Sequence, residues 1–282
     1  MEDLFASPVV FAVICAAFGL CIGSFLNVVI YRLPVILNRQ WRTTARDYLE
    51  LEEETLEPFS LSKPDSRCPV CEHKIRWYEN VPVLSYLSLG GKCSGCSSKI
   101  SLRYPLIELT AAALAVLPVV VIGPGYPAIA AALFALTLLT LTMIDFDTQL
   151  LPDDITMPLM WAGFLIATQG WFVSLQASVI GAAVGYMALW SIYQGFKLAT
   201  GKEGMGYGDF KLTAALGAWC GPLAIPEIML LSSLLGLAGV GIQRALGKAE
   251  AGDQFAFGPW LAIAGAISFF SQQSLTHGYL GW

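Results

Sequence analysis

An all-α polytopic membrane protein, with about eight transmembrane helices and a zinc-stapled cytosolic loop after the first, is the fold class that three observations predict. Apolar residues make up 56% of the 282-residue chain and charged residues 13%. Mean hydropathy is +0.63, well above that of a soluble domain of this length. The apolar residues gather into stretches nearly free of charge, most of them reaching the roughly 20 residues that a hydrocarbon core of about 30 Å demands. Lys and Arg are confined to alternate connections. The net charge of −5 is modest, and the expected surroundings are membrane lipid, with no nucleic-acid partner.

The first stretch, Pro8 to Tyr31, follows Met1-Glu2-Asp3-Leu4. That start lacks the positive n-region of a secretory signal, so the stretch reads as a retained helix. Seven more follow: Pro105 to Ile122, Ala128 to Ile144, Ile155 to Val173, Leu175 to Phe196, Leu212 to Pro222, Pro226 to Gln243 and Phe255 to Thr276. Gly and Pro punctuate the connections, as in Gly123-Pro124-Gly125-Tyr126-Pro127. The sixth stretch is short, and Asp209 to Lys211 are expected to extend its helix. The organisation is therefore a first helix over 1–32, a loop module over 33–104 and a seven-helix membrane domain over 105–282. No internal repeat is visible.

Orientation follows from the sixteen Lys and Arg residues. Eleven lie between Arg32 and Arg103, and the others are Lys197, Lys202, Lys211, Arg244 and Lys248. With eight spans and a first helix running outside to inside, all sixteen fall on one side. The positive-inside rule makes that side the cytosol and places both termini outside.

The loop module is too small for a large core and needs a staple. Cys68-Pro69-Val70-Cys71 and Cys93-Ser94-Gly95-Cys96 supply two CxxC pairs at a spacing close to that of a four-thiolate zinc ribbon. Two disulfides or redox dithiols are the other reading, and cytosolic placement disfavours stable disulfides. The predicted zinc is structural, because no open ligand position is visible. Cys15, Cys21 and Cys220 lie in apolar runs and read as small buried hydrophobes.

Chemistry is expected at two acids. Asp209 ends the string Gly204-Met205-Gly206-Tyr207-Gly208-Asp209 at the mouth of the sixth span, and Asp145 closes the third. Intramembrane acids are costly and usually mark ion paths, proton relays or catalysis. Two carboxylates sharing one proton can hydrolyse a peptide bond, one drawing a proton from water while the other polarises the carbonyl. Gly206 and Gly208 would let the backbone turn sharply and a substrate strand approach. A flexible connector with Asp209 as a helix cap is the plain alternative; the common depth of Asp145 favours the pair. Asp147, Asp153 and Asp154 are alternative partners, with Asp153 suited to cap the fourth span. His73 and His277 are the only histidines, and no GxSxG or HExxH string occurs.

Taken together, these motifs resemble the bifunctional type IV prepilin peptidases, GxGD-type intramembrane aspartic proteases that also N-methylate their product. The resemblance runs along essentially the whole chain. It includes Gly23-Ser24-Phe25-Leu26-Asn27 leading to Arg32-Leu33-Pro34, the CxxC pairs, Arg103-Tyr104-Pro105 with Glu108, Ile144-Asp145 followed by Leu151-Pro152-Asp153, and Gly204 through Lys211. It implies that Asp145 and Asp209 are the catalytic pair of a protease domain over 105–282. It also implies a bacterial inner-membrane location with both termini periplasmic. Substrates would be type IV prepilins or type II secretion pseudopilins, cut at the cytosolic membrane face and then methylated from S-adenosylmethionine.

The donor site is less legible, since no GxGxxG follows a strand. Gly90, Gly91 and Glu108 are the candidates, although Gly90-Gly91 also reads as a turn feeding the second knuckle. The run Glu50 to Glu57 can attract a basic leader or form a solvated helix face. A proton-coupled transporter and a membrane thiol oxidoreductase are the rival functions, and a protease acting on another membrane helix is a third. Oligomeric state and the particular pilin are left open.

Overall fold

The computed structural model describes residues 7–52, 57–245, 247 and 255–280. The first six residues, Lys248, residues 53–56 of the acidic run and the side chain of His277 lie outside the described residues. Among the described residues the regular structure is entirely helical, apart from two isolated antiparallel bridges. Each of the eight apolar stretches lies wholly or largely in helix. Among the described residues, five helical segments are long and apolar enough to cross a membrane: Pro8–Tyr48, Arg103–Val121, Tyr126–Thr148, Leu175–Thr200 and Pro222–Ala245.

The chain divides into two compact units, Met1–Val119 and Val120–Trp282. The first contains α1 (Pro8–Tyr48), a 3-10 turn (Trp77–Asn80), α2 (Leu84–Ser88) and most of α3 (Arg103–Val121). Ser7 caps α1 by accepting the Val10 N–H at 3.4 Å, and Pro8 suits the first helical position. At 41 residues α1 is about 60 Å long, twice a hydrocarbon core. The polar segment after Arg32 thus begins as a continuation of the first helix. Arg32, buried at the end of the apolar stretch, donates to the carbonyls of Ser60 (3.0 Å), Leu61 (3.3 Å) and Pro64 (2.7 Å). The Phe59 ring lies under both Arg32 and Arg39, at 5.6 and 4.7 Å. A residue that counts as topogenic charge is therefore also a clamp on the returning chain.

The second unit holds α4 (Tyr126–Thr148), α5 (Asp153–Ala167), α6 (Leu175–Thr200), α7 (Tyr207–Cys220), a 3-10 turn (Pro222–Ala224), α8 (Ile225–Ala245) and α9 (Gly258–Leu280). Only 14 residues long, α7 is buried from Asp209 to Cys220 except at Lys211. It is apolar all round because it is enclosed all round, by α5, α6 and α9. Without a hydrophobic drive between helices in lipid, close backbone approach has to hold them. Gly181 of α6 and Gly217 of α7 provide it, since a Cβ on either would overlap the other's carbonyl. One turn away the Ser178 hydroxyl donates to the Ala218 carbonyl at 2.6 Å. Gly217→Val should therefore destabilise the unit by about 1–3 kcal/mol, read as a lowered unfolding midpoint in detergent; an unchanged midpoint would contradict this contact.

Away from α7's first turn, four aromatic rings lock the helices together. Phe134 of α4 stacks on Trp219 of α7 at 4.7 Å and meets Phe269 of α9 at 4.8 Å, while Phe172 lies 5.0 Å from Phe269. The Trp219 indole N–H donates to the Leu159 carbonyl of α5 at 2.8 Å.

Candidate functional site

This aromatic node sets the register of the acids. From Phe134 to Asp145 α4 advances eleven residues, from Trp219 back to Asp209 α7 retreats ten, and from Phe269 back to Gly258 α9 retreats eleven. At 1.5 Å per residue each path is about 15–17 Å long. Three helices joined at one level thus bring Asp145, Asp209 and Gly258 to a common level at the other. Asp145 is 4% exposed and Asp209 8% exposed, and they lie within electrostatic reach of one another. The backbone N–H of Gly258, at the start of α9, donates to the Asp145 carboxylate. A Cβ at Gly258 would sit 2.7 Å from Asp145 Oδ2 and 2.9 Å from Leu151 Cδ1.

Asp209 occupies the third position of α7 and accepts the backbone N–H of Gly206, the residue that caps the helix. The capping role is thus real, in the reciprocal form where an acid at the third position reaches back, and it coexists with proximity to Asp145. Gly206 has ordinary extended dihedrals (φ −81°, ψ 151°), so no sharp turn requires glycine there. Gly208 is required by packing, because a Cβ would lie 2.8 Å from that of Leu151. Tyr193, Tyr207 and Phe210 meet at 5.5–5.8 Å between centroids and seat this first turn on α6.

Of the alternative acids, Asp147, Asp153 and Asp154 are exposed. Asp153, in the first turn of α5, accepts Lys211 Nζ of α7 through both oxygens at 2.8 and 2.7 Å. Gly258 is the residue that sequence reasoning missed. It carries no titratable group, and its one visible sign is a Gly-Pro step opening the last apolar stretch.

In the first unit the four cysteines converge. Cys68, Cys71, Cys93 and Cys96 are free thiols whose sulfurs all lie within 4.8 Å of one another. The Cys68–Cys96 and Cys71–Cys93 pairs are each 3.9 Å apart. A tetrahedral ion with metal–sulfur bonds of about 2.3 Å needs sulfurs about 3.8 Å apart, so the cage fits a zinc-sized thiophilic metal. The two knuckles are local copies. Arg67 bridges Lys74 as Lys92 bridges Lys99, and Glu72 N–H to Cys68 O matches Ser97 N–H to Cys93 O, both at 2.9 Å. This short repeat escaped the sequence reading because the residues between the cysteines differ.

Backbone N–H groups of Val70 and Cys71 hold the Cys68 thiol down to about 6, and the Ser98 hydroxyl lowers that of Cys96. Outside the cage, His73 Nε2 lies 3.1 Å from Ser94 Oγ and 3.3 Å from Glu79 Oε2, and Glu79 also accepts the Arg76 N–H at 2.8 Å. The Ser94 hydroxyl and the Arg76 amide hold the Glu79 carboxyl down to about 2. A polar clasp thus joins one knuckle to the other.

The remaining candidates are occupied locally. Gly90 and Gly91 have positive φ, and their N–H groups donate to Leu87 O and Tyr86 O, which closes the turn into the second knuckle. Glu108 is buried in α3 and accepts the Val83 N–H at 2.7 Å.

Comparison with known proteins gives two family matches. Residues 17–122 match the bacterial peptidase A24 N-terminal domain, and residues 132–241 match the type IV leader peptidase family. The chain is similar to a prepilin leader peptidase/N-methyltransferase of Stutzerimonas stutzeri, 47% identical over 99% of this chain and 97% of the relative. It is likewise similar to proteins of the same name from Aeromonas hydrophila, 50% identical over 93% and 91%, and Neisseria gonorrhoeae, 46% identical over 100% and 98%. No solved structure matches.

Proposed function

Because the chain belongs to the type IV leader peptidase family, we propose that Asp145 and Asp209 are the working pair of its proteolytic site. The protein is a bifunctional membrane enzyme that removes the leader from type IV prepilins and pseudopilins and N-methylates the new terminus. Neither a thiol oxidoreductase nor a proton-coupled transporter has support among these relatives.

The observation that carries the proposal is the meeting of two buried carboxylates at one end of three helices registered by the aromatic node. Two carboxylates that share a site do not readily both ionise, and the proposed mechanism has the pair hold one proton between them. The ionised carboxylate takes a proton from water as its oxygen attacks the scissile carbonyl. The protonated carboxyl meanwhile donates to the carbonyl oxygen. The Gly258 N–H holds one oxygen of Asp145, so that carboxylate has a fixed orientation toward the shared space.

Eight spans with the acids at the cytosolic face of a bacterial inner membrane fit this chemistry. All sixteen Lys and Arg then share that face, and a basic leader would meet the acids where it joins the lipid-embedded helix. Zinc in the cysteine cage would order the loop module for leader recognition and methylation, with S-adenosylmethionine supplying the methyl group. Gly90 and Gly91, in the turn into the second knuckle, and Glu108, beside Val83, are the candidates for contacting that donor.

Mass spectrometry of a model prepilin, incubated in detergent with purified protein with and without S-adenosylmethionine, tests the whole reading. Leader loss without the donor, and an added methyl only with it, are expected; an intact prepilin from folded, zinc-loaded protein would defeat it. For the metal, Glu79→Ala should speed zinc release to a chelator by about 10–100-fold, the usual cost of losing a residue that orients a metal site. Release at the parental rate would show that the clasp does not hold the knuckles.

A further inference from the structure

We infer that the segment Trp77 to Leu87, between the two zinc knuckles, is a membrane-interface anchor that rests on phospholipid and sets the module against the bilayer surface. The inference rests on the membrane topology proposed above. Its first support is depth. Glu108 lies three residues inside the apolar stretch that begins at Pro105, about 4.5 Å along α3, and its buried carboxylate bonds the Val83 N–H at 2.7 Å. Asn27, four residues before the end of the first apolar stretch, donates to the Tyr104 carbonyl at 3.3 Å, which ties α1 to the start of α3. Val83 is therefore held at the level where α3 enters lipid.

The second support is strain held in place. Val83 has φ +59° and ψ −46°, with the Leu84 N–H donating to the Pro82 carbonyl, a γ-turn of positive φ that a β-branched residue adopts only when its surroundings impose it. Glu108 imposes it from the membrane side, while Glu79 fixes the other end of the segment to the zinc knuckles through His73 and Ser94. Two carboxylates thus bracket the strap.

The third is what the bracket exposes. Trp77 is 83% exposed, Leu87 68%, Leu84 65% and Tyr78 47%. Leu84 and Leu87 are three apart in α2 and share a face. An apolar cluster of this kind marks an interaction surface. Its composition matches the headgroup boundary, where Trp and Tyr collect and basic groups meet anionic lipid. Arg76 supplies the basic group, its guanidinium 5.8 Å from the Tyr78 ring centroid. Asn80 and Pro82 of the segment line one cleft with Cys21, Ser24, Phe25 and Val28 of α1's apolar stretch, and that continuity with a membrane-embedded surface favours lipid over a second protein.

The test uses full-length protein in nanodiscs of phosphatidylcholine and phosphatidylglycerol carrying a diazirine on the acyl chain, with adducts mapped by mass spectrometry. A water-soluble diazirine is applied to a parallel sample. Lipid adducts are expected on the peptide spanning 77–88 and on the exposed residues Val13 and Phe18 of α1, while Val70 of the first knuckle, 71% exposed, takes the aqueous label. The double variant Leu84→Glu/Leu87→Glu should lose lipid adducts on this peptide while keeping its zinc. Lipid adducts on α1 with only aqueous label on 77–88 would overturn the anchor. Protection of 77–88 from both reagents would mean that protein covers it, and would also overturn it. Loss of lipid adducts from α1 as well would instead overturn the topology beneath it.

Discussion

Asp145→Asn and Asp209→Asn are each expected to lower prepilin cleavage by about 10³-fold, within the range that removal of a general acid or base produces. Each change keeps the size and most hydrogen-bonding capacity of the side chain but removes a proton site, so the pair can no longer exchange roles. Asn at 145 can still accept the Gly258 N–H, and Asn at 209 can still accept the Gly206 N–H. The helices should therefore stay in register, with zinc content and membrane insertion unchanged. Methylation of a peptide that already has a mature pilin N-terminus should also survive, because neither acid lies in the unit that carries the cysteine cage. Substantial cleavage by either purified variant would remove it from the catalytic pair. Loss of methylation together with cleavage would join the two activities in a way this assignment does not.

Gly258→Ala should be the most damaging change at a residue that carries no side-chain chemistry. The new Cβ would stand 2.7 Å from Asp145 Oδ2 and 2.9 Å from Leu151 Cδ1, far inside van der Waals contact. Either the carboxylate turns away from its partner or the start of α9 backs off and withdraws its N–H. Misplacing a reacting group by about 1 Å costs on the order of 10²-fold, and a loss of that size in kcat is expected. The aromatic node around Phe269 anchors α9 farther along, so the fold should persist. A variant that cleaves at the parental rate would show that the Gly258 contact does not orient Asp145.

Much of this architecture is legible along the chain, for a reason peculiar to lipid. A backbone in hydrocarbon has to satisfy its own hydrogen bonds, so an apolar stretch of sufficient length has little choice but helix. Each of the eight stretches accordingly lies wholly or largely in helix in the structure. The two acids stand out for the related reason that a carboxylate at an apolar boundary is costly unless it has work. The cysteines announce themselves by spacing, and their sulfurs converge to metal-binding distance.

Other features depend on which residues meet across the fold. Arg32 reads along the chain as a topogenic charge, and only the returning carbonyls of Ser60, Leu61 and Pro64 make it a clamp. Glu108 reads along the chain as a candidate for the donor site, and only the fold shows that it also accepts the Val83 N–H. Asp153 reads as a cap or a rival catalyst until Lys211 occupies both of its oxygens. Hydropathy and charge cost are properties of single residues, and they survive being read in one dimension. Register and contact are properties of pairs far apart in the chain. The common depth of Asp145, Asp209 and Gly258 comes from rings that meet roughly 15 Å away along the helices, and no local pattern records which rings those will be.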